Sequence, residues 1–336
     1  MMYSDNPMDP NFGGLLKPTE GYVVQYPWAL EAAVAQQNVL WTPSEIDVSK
    51  DIHDIKVNMT ESESYAVTYL LKLFTLYEKQ AGTNYWLGRV MNEYAKPACI
   101  ERMASTFGYT EDGIHAPFYN NLNAALNLDT EEFYNEYKED TTLTERFSFI
   151  GKCIGHNDAV VSHGAFSMVE GAILYSSFAF LLHFQSAGKN LLKNVCAGVK
   201  FSVRDENLHS EAGALLTKTR IGEYQGGEYT DDQATALYDC ARTIVEHEDI
   251  IIDRMIPNDD IEGISKESLK VFVRHRCNLC LQQLGLEPVF DETKNVIKEW
   301  FYDGINAVQL HDFFVGVGSE YNRDWDERAF SWNSKE

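Results

Sequence analysis

Two short motifs in this 336-residue chain place a carboxylate and an imidazole three residues apart. Glu206 and His209 lie within "RDENLH", and Asp112 and His115 lie within "TEDGIH". Side chains three residues apart on a helix project from the same face. Each motif can therefore direct one carboxylate and one imidazole at a common ligand. Either motif alone is more typical of an ordinary surface or core histidine with satisfied hydrogen bonds, so the interpretation depends on the wider spacing of the acidic residues.

Each motif follows another carboxylate by about 35 residues. Glu78 stands 34 residues before Asp112 (112 minus 78), and Glu170 stands 36 residues before Glu206 (206 minus 170). Two antiparallel helices of ~17 residues, each ~26 Å long, return a chain to the same depth over such a distance. Glu170 is the only acid or base in "GAFSMVEGAILYSSFAF". A buried carboxylate in such a helix is unfavourable unless it is paired or binds a cation.

Four helices would thus bring four carboxylates and two imidazoles to one level. This is the donor arrangement of the ferritin-like di-iron and di-manganese carboxylate proteins. Oxygen ligands with one imidazole per ion suit iron or manganese, whereas structural zinc favours thiolates and calcium favours oxygen ligands alone. The sequence therefore predicts an all-α, ferritin-like helical bundle with a dinuclear metal site in a four-helix core.

Patterning along the chain agrees with this fold. The stretch "TESE" at residues 60–63 has the form of a capping box, and the residues after it show apolar positions at helical spacing. We find no alternating strand pattern of useful length and no glycine-rich dinucleotide motif. We expect an extended arm over residues 1–30, a helical domain over 31–315 and a flexible tail over 316–336.

The composition indicates which kinds of partner the protein can bind and in which compartment it is found. With 28 basic and 51 acidic residues, the net charge of −23 disfavours nucleic acid and anionic membrane surfaces. No uninterrupted apolar run reaches the ~18 residues that span a bilayer, and the N-terminus has no secretion-signal pattern. Six cysteines scattered through a long chain are typical of a reducing compartment. We therefore expect a cytoplasmic protein without nucleic-acid or membrane partners.

From about Trp41 to Tyr321 the chain resembles the small, radical-generating subunit of class I ribonucleotide reductase. The resemblance is carried by "WTPSEIDVSKD" at 41–51, "VEGAILYSSFAF" at 169–180 and "RDENLH" at 204–209. It implies two sets of metal ligands: Glu78, Asp112 and His115 for one ion, and Glu170, Glu206 and His209 for the other. The chain differs from the usual family pattern at two of these positions. The family usually has aspartate where Glu78 stands and glutamate where Asp112 stands.

The resemblance also implies roles for four further residues. Tyr119, one helical turn after His115, corresponds to the radical tyrosine, although simple packing is the default interpretation for any one of 18 tyrosines. His115 would donate its second N–H to Asp205, which would in turn contact the indole of Trp41. Tyr321 in "GVGSEYNR" would be the next residue of the radical relay.

Two local features near the site and the C-terminus add to this picture. Pro117 cannot donate a helical hydrogen bond to the carbonyl of Gly113, so we expect a kink or bulge beside the site. In the tail, Trp325, Phe330 and Trp332 could anchor the chain in a groove of the large subunit. A disordered acidic end is the alternative interpretation of the tail.

The function that the resemblance implies is that of an oxidoreductase active only with a large catalytic subunit. A dinuclear centre would generate a tyrosyl radical, which is passed to the large subunit to reduce ribonucleoside diphosphates or triphosphates to deoxyribonucleotides. The resemblance also implies a homodimer. An Fe/Fe centre is favoured, with Mn/Mn and Mn/Fe as alternatives. The competing function is a ferritin-like di-iron oxidase or oxygenase with its own substrate, which would not need Trp41, Tyr321 or an aromatic tail.

Overall fold

The computed structural model describes residues 14–17, 21–186 and 188–305, apart from the side chains at 75, 76, 136 and 137. All regular structure in these ranges is helical, which confirms the predicted all-α class. The α-helices are α1 (Pro27–Asn38), α2 (Glu61–Lys79), α3 (Met91–Tyr94), α4 (Ala98–Thr110), α5 (Ala116–Leu126), α6 (Glu131–Glu139), α7 (Thr141–Ile154), α8 (Ala159–Ala172), α9 (Tyr175–Ser186), α10 (Lys193–Tyr224), α11 (Asp231–Met255) and α12 (Lys266–Leu284). Residues 298–305 are helical as well.

The predicted terminal segments fall largely outside this description. Helix α1 begins at Pro27, so it already includes the last residues of the arm expected over 1–30. The expected tail over 316–336, with Tyr321, lies outside the described residues.

Two of the long helices widen into π-helical segments, in which backbone bonds run from residue i to i+5. Helix α2 continues into the π-helix Gln80–Val90, which is called the first π-helix. Helix α4 continues through the π-helix Glu111–His115, called the second π-helix, into α5. A further short π-helix, Asp54–Asn58, precedes α2 and lies apart from both in the sequence. In the second segment, the N–H of Ala116 donates to the carbonyl of Glu111. Pro117 follows at once in the first turn of α5. The distortion expected beside Pro117 is therefore present and is confirmed as a π-helical bulge.

Side-chain caps set the starts of the helices that matter most. The hydroxyl of Thr60 accepts from the N–H of Glu63, whose carboxylate accepts from the N–H of Thr60, so the predicted capping box is confirmed. At the start of α8, the carboxylate of Asp158 accepts from the N–H groups of Val160 and Val161. Because a cap satisfies backbone donors that the helix itself cannot, it fixes the residue at which the helix begins.

Helix α8 is the centre of the bundle, since every one of its residues is buried. It packs most extensively against α10 and also contacts α7, α11 and α12. The contact with α10 is close because glycines lie in it. A Cβ added at Gly171 would lie 2.4 Å from Oγ of Ser210 and 2.4 Å from Sγ of Cys280, and one at Gly213 would lie 2.9 Å from Cβ of Ser167. Hydrogen is therefore the only side chain that fits at these points.

Helices α8 and α9 are separated by a two-residue break. Ile173 is extended and Leu174 has a φ of 71°, which is unusual for a branched residue. The two helices together span Ala159–Ser186, a segment that is long and apolar enough to cross a membrane by length and composition. Counting only uninterrupted runs of apolar residues does not predict this segment from the sequence. The segment is nevertheless buried throughout the bundle. Burial on all sides is the environment of a core helix in a soluble protein.

We predict opposite effects of alanine at two helical glycines. Alanine is favoured over glycine in a helix interior by ~1 kcal/mol, and at exposed Gly151 in α7 nothing lies within 4 Å of the added methyl group. Gly151→Ala should therefore raise the free energy of unfolding. Gly171→Ala should lower it by about 1 kcal/mol or more, because overpacking outweighs the gain in helix propensity. Urea unfolding measures both, and equal stabilisation by the two substitutions would contradict the close α8–α10 contact.

Candidate metal centre

Six buried side chains from four parts of the bundle meet in its core. They are Glu78 on α2, Glu111 and His115 on the second π-helix, Glu170 on α8, and Glu206 and His209 on α10, each exposed by 2% or less. Glu78, Glu111, His115 and Glu206 form one group, and Glu111, Glu170, Glu206 and His209 form the other. Within each group, one ligand atom per residue lies within 4.8 Å of all the others. Glu111 and Glu206 belong to both groups and therefore lie between the two positions.

The structure corrects one predicted ligand, because Asp112 lies outside this cluster. Its carboxylate is partly exposed and accepts a hydrogen bond of 2.6 Å from the hydroxyl of Thr83. The preceding residue, Glu111, points into the core instead, with Oε2 at 3.2 Å from Nδ1 of His115. The reason is the π-helix: its wider turn brings residues four apart onto one face and rotates residues three apart away from each other. The family usually has a glutamate where the resemblance in sequence places Asp112. In this chain Glu111, one position earlier, takes that place in the core.

Both histidines present the same ring nitrogen to the centre. Nδ1 of His115 lies 3.2 to 3.5 Å from carboxylate oxygens of Glu78, Glu111 and Glu206. Its Nε2–H donates to Oδ2 of Asp205 at 3.2 Å, as predicted. Nε2–H of His209 donates in the same way to Oε1 of Gln36 on α1 at 3.1 Å. Because each outer partner accepts the Nε2 proton, Nδ1 is the nitrogen that faces the centre on both rings. Against the effect of burial, the charge of Glu111 and the hydrogen bond with Asp205 raise the pKa of His115 well above its usual range, so its Nδ1 would release a proton when an ion binds.

Several ligand atoms at the centre lack any hydrogen-bond partner among the described residues. These are both carboxylate oxygens of Glu78 and of Glu206, one oxygen of Glu111, and Nδ1 of His209. Nδ1 of His209 does lie 2.6 Å from Oε1 of Glu111, but the pair is not aligned as a hydrogen bond. Buried acceptors without donors are strongly unfavourable. Cations in the space that these atoms face would satisfy all of them at once.

The electrostatics of the protein alone lead to the same conclusion. Burial, followed by the neighbouring carboxylate of Glu111, raises the pKa of Glu78 well above its usual range and that of Glu206 to about 8. Burial and the charge of Glu206 raise the pKa of Glu170 well above its usual range. Such carboxylates must take up protons or bind metal cations to remain buried together. Four carboxylates carry the negative charge that neutralises two divalent cations, so the residues present fit a dinuclear centre.

Glu170 has protein partners that the sequence did not reveal. The indole N–H of Trp86 donates to its Oε1 at 2.8 Å, and the hydroxyl of Tyr77 donates to its Oε2 at 3.2 Å. The carboxylate is therefore held by two donors and oriented from the side of the first π-helix. Such hydrogen bonds orient a ligand before an ion binds to it.

Trp41 and Tyr119 both lie against the His115 side of the cluster. The indole N–H of Trp41 donates to Oδ2 of Asp205 at 2.9 Å, the same oxygen that accepts from His115. Tyr119 is fully buried, its ring stacks on Phe74 with centroids 4.2 Å apart, and its hydroxyl has no hydrogen-bond partner among the described residues. Burial, followed by the charge of Glu78, raises the pKa of Tyr119 well above its usual range.

This bundle and its buried carboxylate–imidazole cluster define a ferritin-like protein of the dinuclear carboxylate class. Comparison with known proteins gives the family. The model of the family "Ribonucleotide reductase, small chain" matches residues 20–296, and the chain belongs to that family. The resemblance read from the sequence motifs is thus confirmed. The family is part of an oxidoreductase, and its members work with a large subunit.

Individual relatives agree with this assignment. The chain is 25% identical over 325 residues to a probable ribonucleoside-diphosphate reductase small subunit of Invertebrate iridescent virus 3, covering 90% of this chain and 85% of that protein. It is 24% identical over 308 residues to a ribonucleoside-diphosphate reductase subunit beta of Mycobacterium leprae, covering 85% and 89%.

Solved structures share the fold. A putative class I ribonucleotide reductase from Bacillus halodurans superposes with a TM-score of 0.74 at 22% identity, covering 83% of this chain and 100% of that chain. The dimanganese(II)-NrdF of Streptococcus sanguinis gives a TM-score of 0.72 at 20% identity, covering 86% and 99%. The predicted ferritin-like fold is therefore confirmed.

Sequence reasoning missed four residues of the site: Glu111, Gln36, Tyr77 and Trp86. Glu111 had a signal, because Pro117 predicts a bulge and a bulge favours a pair four residues apart over one three apart. The other three are outer partners that come from separate helices. Their roles depend on tertiary packing, for which a single sequence carries no spacing rule.

We predict that adjacent acidic residues respond differently to alanine. Glu111→Ala should reduce bound iron or manganese from two ions per chain to one or none, because Glu111 lies between both positions. Asp112→Ala is the matched control, since it removes a neighbouring carboxylate whose hydrogen-bond partner among the described residues is Thr83, and it should keep both ions. Elemental analysis of protein loaded with ferrous or manganous ions measures this. Two bound ions per chain in Glu111→Ala, or loss of an ion in Asp112→Ala alone, would contradict this assignment and favour Asp112 as the ligand.

Proposed function

We propose that the six clustered side chains hold a dinuclear iron or manganese centre whose oxidation generates a radical on Tyr119. The observation that supports this most strongly is the cluster of buried carboxylate oxygens and imidazole nitrogens, several of which have no hydrogen-bond partner among the described residues. Glu78 and His115 would serve one ion, Glu170 and His209 the other, and Glu111 and Glu206 would be shared. When bound, such a redox-active pair supplies the oxidising equivalent for a nearby side chain.

The surroundings of Tyr119 suit a residue that loses an electron and a proton together. Because its pKa is well above the usual range, the phenol keeps its proton at neutral pH. Loss of an electron must therefore be coupled to loss of that proton. Burial against Phe74 and Phe118 excludes water and small reductants from the ring. A radical formed there would consequently be long-lived.

A continuous hydrogen-bonded path leads away from the centre through His115, Asp205 and Trp41. Burial alone would raise the pKa of Asp205, but the hydrogen bond and charge of His115, the charge of Arg204 and the hydrogen bond from Trp41 together outweigh burial and lower the pKa. The carboxylate thus stays charged and can accept from both rings at once. The path would allow Trp41 to be oxidised in turn, and Tyr321, outside the described residues, would carry the hole to the large subunit.

The site accordingly supports a small subunit of ribonucleoside-diphosphate reductase that acts on ribonucleotides only through its large subunit. A homodimer and a cytoplasmic location belong to the same proposal. A cavity of about 730 Å³ does adjoin Asp205, but its lining includes none of the six proposed ligands. A ferritin-like oxidase or oxygenase would need substrate access to the ions themselves, so this cavity does not favour that alternative.

We predict that Tyr119→Phe separates metal binding from radical formation. The ring and its stacking on Phe74 are kept, so two ions should still bind. The long-lived tyrosyl signal of the wild-type protein should disappear from the electron paramagnetic resonance spectrum, and deoxyribonucleotide formation with a large subunit should fall to background. Tyr175→Phe is the control, because that buried phenol bonds to Asn207 and not to the six ligands. A normal tyrosyl signal in Tyr119→Phe would assign the radical to another tyrosine.

We also predict that electron transfer and affinity for the large subunit depend on different parts of the tail and can be impaired separately by mutation. Tyr321→Phe should keep the Tyr119 radical and the affinity for the large subunit but stop turnover, because phenylalanine is much harder to oxidise. Deleting residues 324–336 should instead keep the radical and weaken binding, since aromatic anchors dominate such contacts. Radical content, subunit affinity and turnover are measured on the same preparations. Normal turnover in Tyr321→Phe would remove it from the relay, and unchanged affinity after deletion would reduce the tail to a disordered end.

A further inference from the structure

A second set of oxidisable side chains begins at the other end of the cluster, away from Trp41. Trp86 is fully buried on the first π-helix, and its indole N–H donates to Glu170 at 2.8 Å. The centre of its ring lies 6.0 Å from that of His209. The indole is therefore in direct contact with two of the side chains proposed to hold the second ion.

The neighbouring Tyr85 extends this set by one ring. The centroids of Tyr85 and Trp86 are 4.9 Å apart, and Tyr85 stacks on Phe166 at 3.6 Å. The fully buried phenol of Tyr85 donates to Nδ1 of His163 at 3.0 Å. A phenol hydrogen-bonded to a neutral imidazole can release its proton in the same step as its electron. Burial lowers the pKa of His163, which keeps the imidazole available as an acceptor.

His163 connects this buried phenol to the surface. Its Nε2 lies 3.1 Å from the hydroxyl of Tyr94 and 3.7 Å from a carboxylate oxygen of Glu93. Glu93 is partly exposed and pairs with Arg89 at 3.0 Å, and both residues line an open recess. The carboxylate of Glu93 can therefore stabilise the imidazolium that forms when Tyr85 releases its proton.

We propose that Trp86 and Tyr85 form a second electron-transfer branch. This branch would supply an electron to the oxidised centre when Tyr119 is not available to reduce it. The proposal rests on the function proposed above, because the oxidant is the oxidised dinuclear centre. Trp86 gives one electron to that centre. Tyr85 gives one electron to the indole cation and its phenolic proton to Nδ1 of His163. The products are a neutral tyrosyl radical at Tyr85, a restored indole at Trp86 and an imidazolium beside Glu93.

The polar atoms of this branch provide a path for a proton that apolar residues could not provide. Phenylalanine in place of Tyr85 could stack on Phe166, but it would have no hydroxyl to donate to His163. The branch and the Tyr119 side also lie at different ends of the cluster: Trp86 contacts Glu170 and His209, whereas Trp41 lies against His115. An oxidising equivalent can thus leave from either end.

The test uses full-length Tyr119→Phe protein, loaded with ferrous iron or, in parallel, manganous ions, and then mixed with oxygen or hydrogen peroxide. Samples frozen from milliseconds to minutes are examined by electron paramagnetic resonance, with ring-deuterated tyrosine or indole-deuterated tryptophan to identify the radical. Peptide mass spectrometry then locates oxidised side chains. We expect a transient tyrosyl signal, shorter-lived than the Tyr119 radical of wild-type protein, that narrows with deuterated tyrosine. We also expect oxidation concentrated at Tyr85 and Trp86.

Paired substitutions assign that signal. Adding Tyr85→Phe to Tyr119→Phe should remove the tyrosyl component and leave a tryptophan radical that narrows with deuterated indole. Adding His163→Gln, which removes the imidazole acceptor, should also diminish the tyrosyl component. Tyr26→Phe is the matched control: Tyr26 is buried and donates to Glu223 at 2.6 Å, so it has a polar acceptor but no contact with Trp86. That control should keep the tyrosyl component.

Two results would overturn the proposal. One is a tyrosyl signal that persists in Tyr119→Phe/Tyr85→Phe protein. The other is the absence of both a protein radical and oxidation at Tyr85 or Trp86 in Tyr119→Phe, while wild-type protein forms its Tyr119 radical. A wild-type sample without any tyrosyl radical would instead contradict the proposed function itself, and the second branch with it.

Discussion

The constraint on which the structure depends is the mutual repulsion of four carboxylates buried within a few ångströms of one another. In a medium of low polarity, each additional negative charge raises the pKa of the others, as it does for Glu78, Glu170 and Glu206. The protein can keep them together only by supplying positive charge. Protonation of His115 and of the carboxylates does this in the protein alone, and two metal ions would do it more completely. The surrounding bundle resists the expansion that would otherwise relieve the repulsion.

Convergence of the ligands requires two departures from regular helix packing. Glycines at the contact of α8 with α10 allow the two backbones to approach closely, so that Glu170 and Glu206 reach the same centre. The π-helix Glu111–His115 turns Glu111 inward and Asp112 outward. A Cβ added at Gly82 would lie 2.9 Å from Cβ of Glu111, so the two π-helical segments also meet at a glycine. Two irregular helical segments thus meet beside the proposed ligands.

Much of this arrangement could be predicted from local rules. The capping box at Thr60 and the isolated acid at Glu170 follow from short-range patterns that survive folding. The contacts of Asp205 with His115 and Trp41 came only from the family resemblance. The choice between Glu111 and Asp112 could not be made by spacing alone, because a regular helix places residues three and four apart on nearly the same face. The donors to Glu170 and the amide oxygen that accepts from His209 come from distant helices, so only the folded chain brings them to the site.

The central claim is that this cluster is a site for two ions, and direct titration tests it most simply. Metal-free protein would be titrated anaerobically with ferrous or manganous ions, with calorimetry and elemental analysis giving the number bound per chain. The account predicts two ions per chain, with release of protons as the carboxylates and His115 lose theirs. Binding of fewer than two ions, or binding of two ions that leaves the protonation of the chain unchanged, would contradict it.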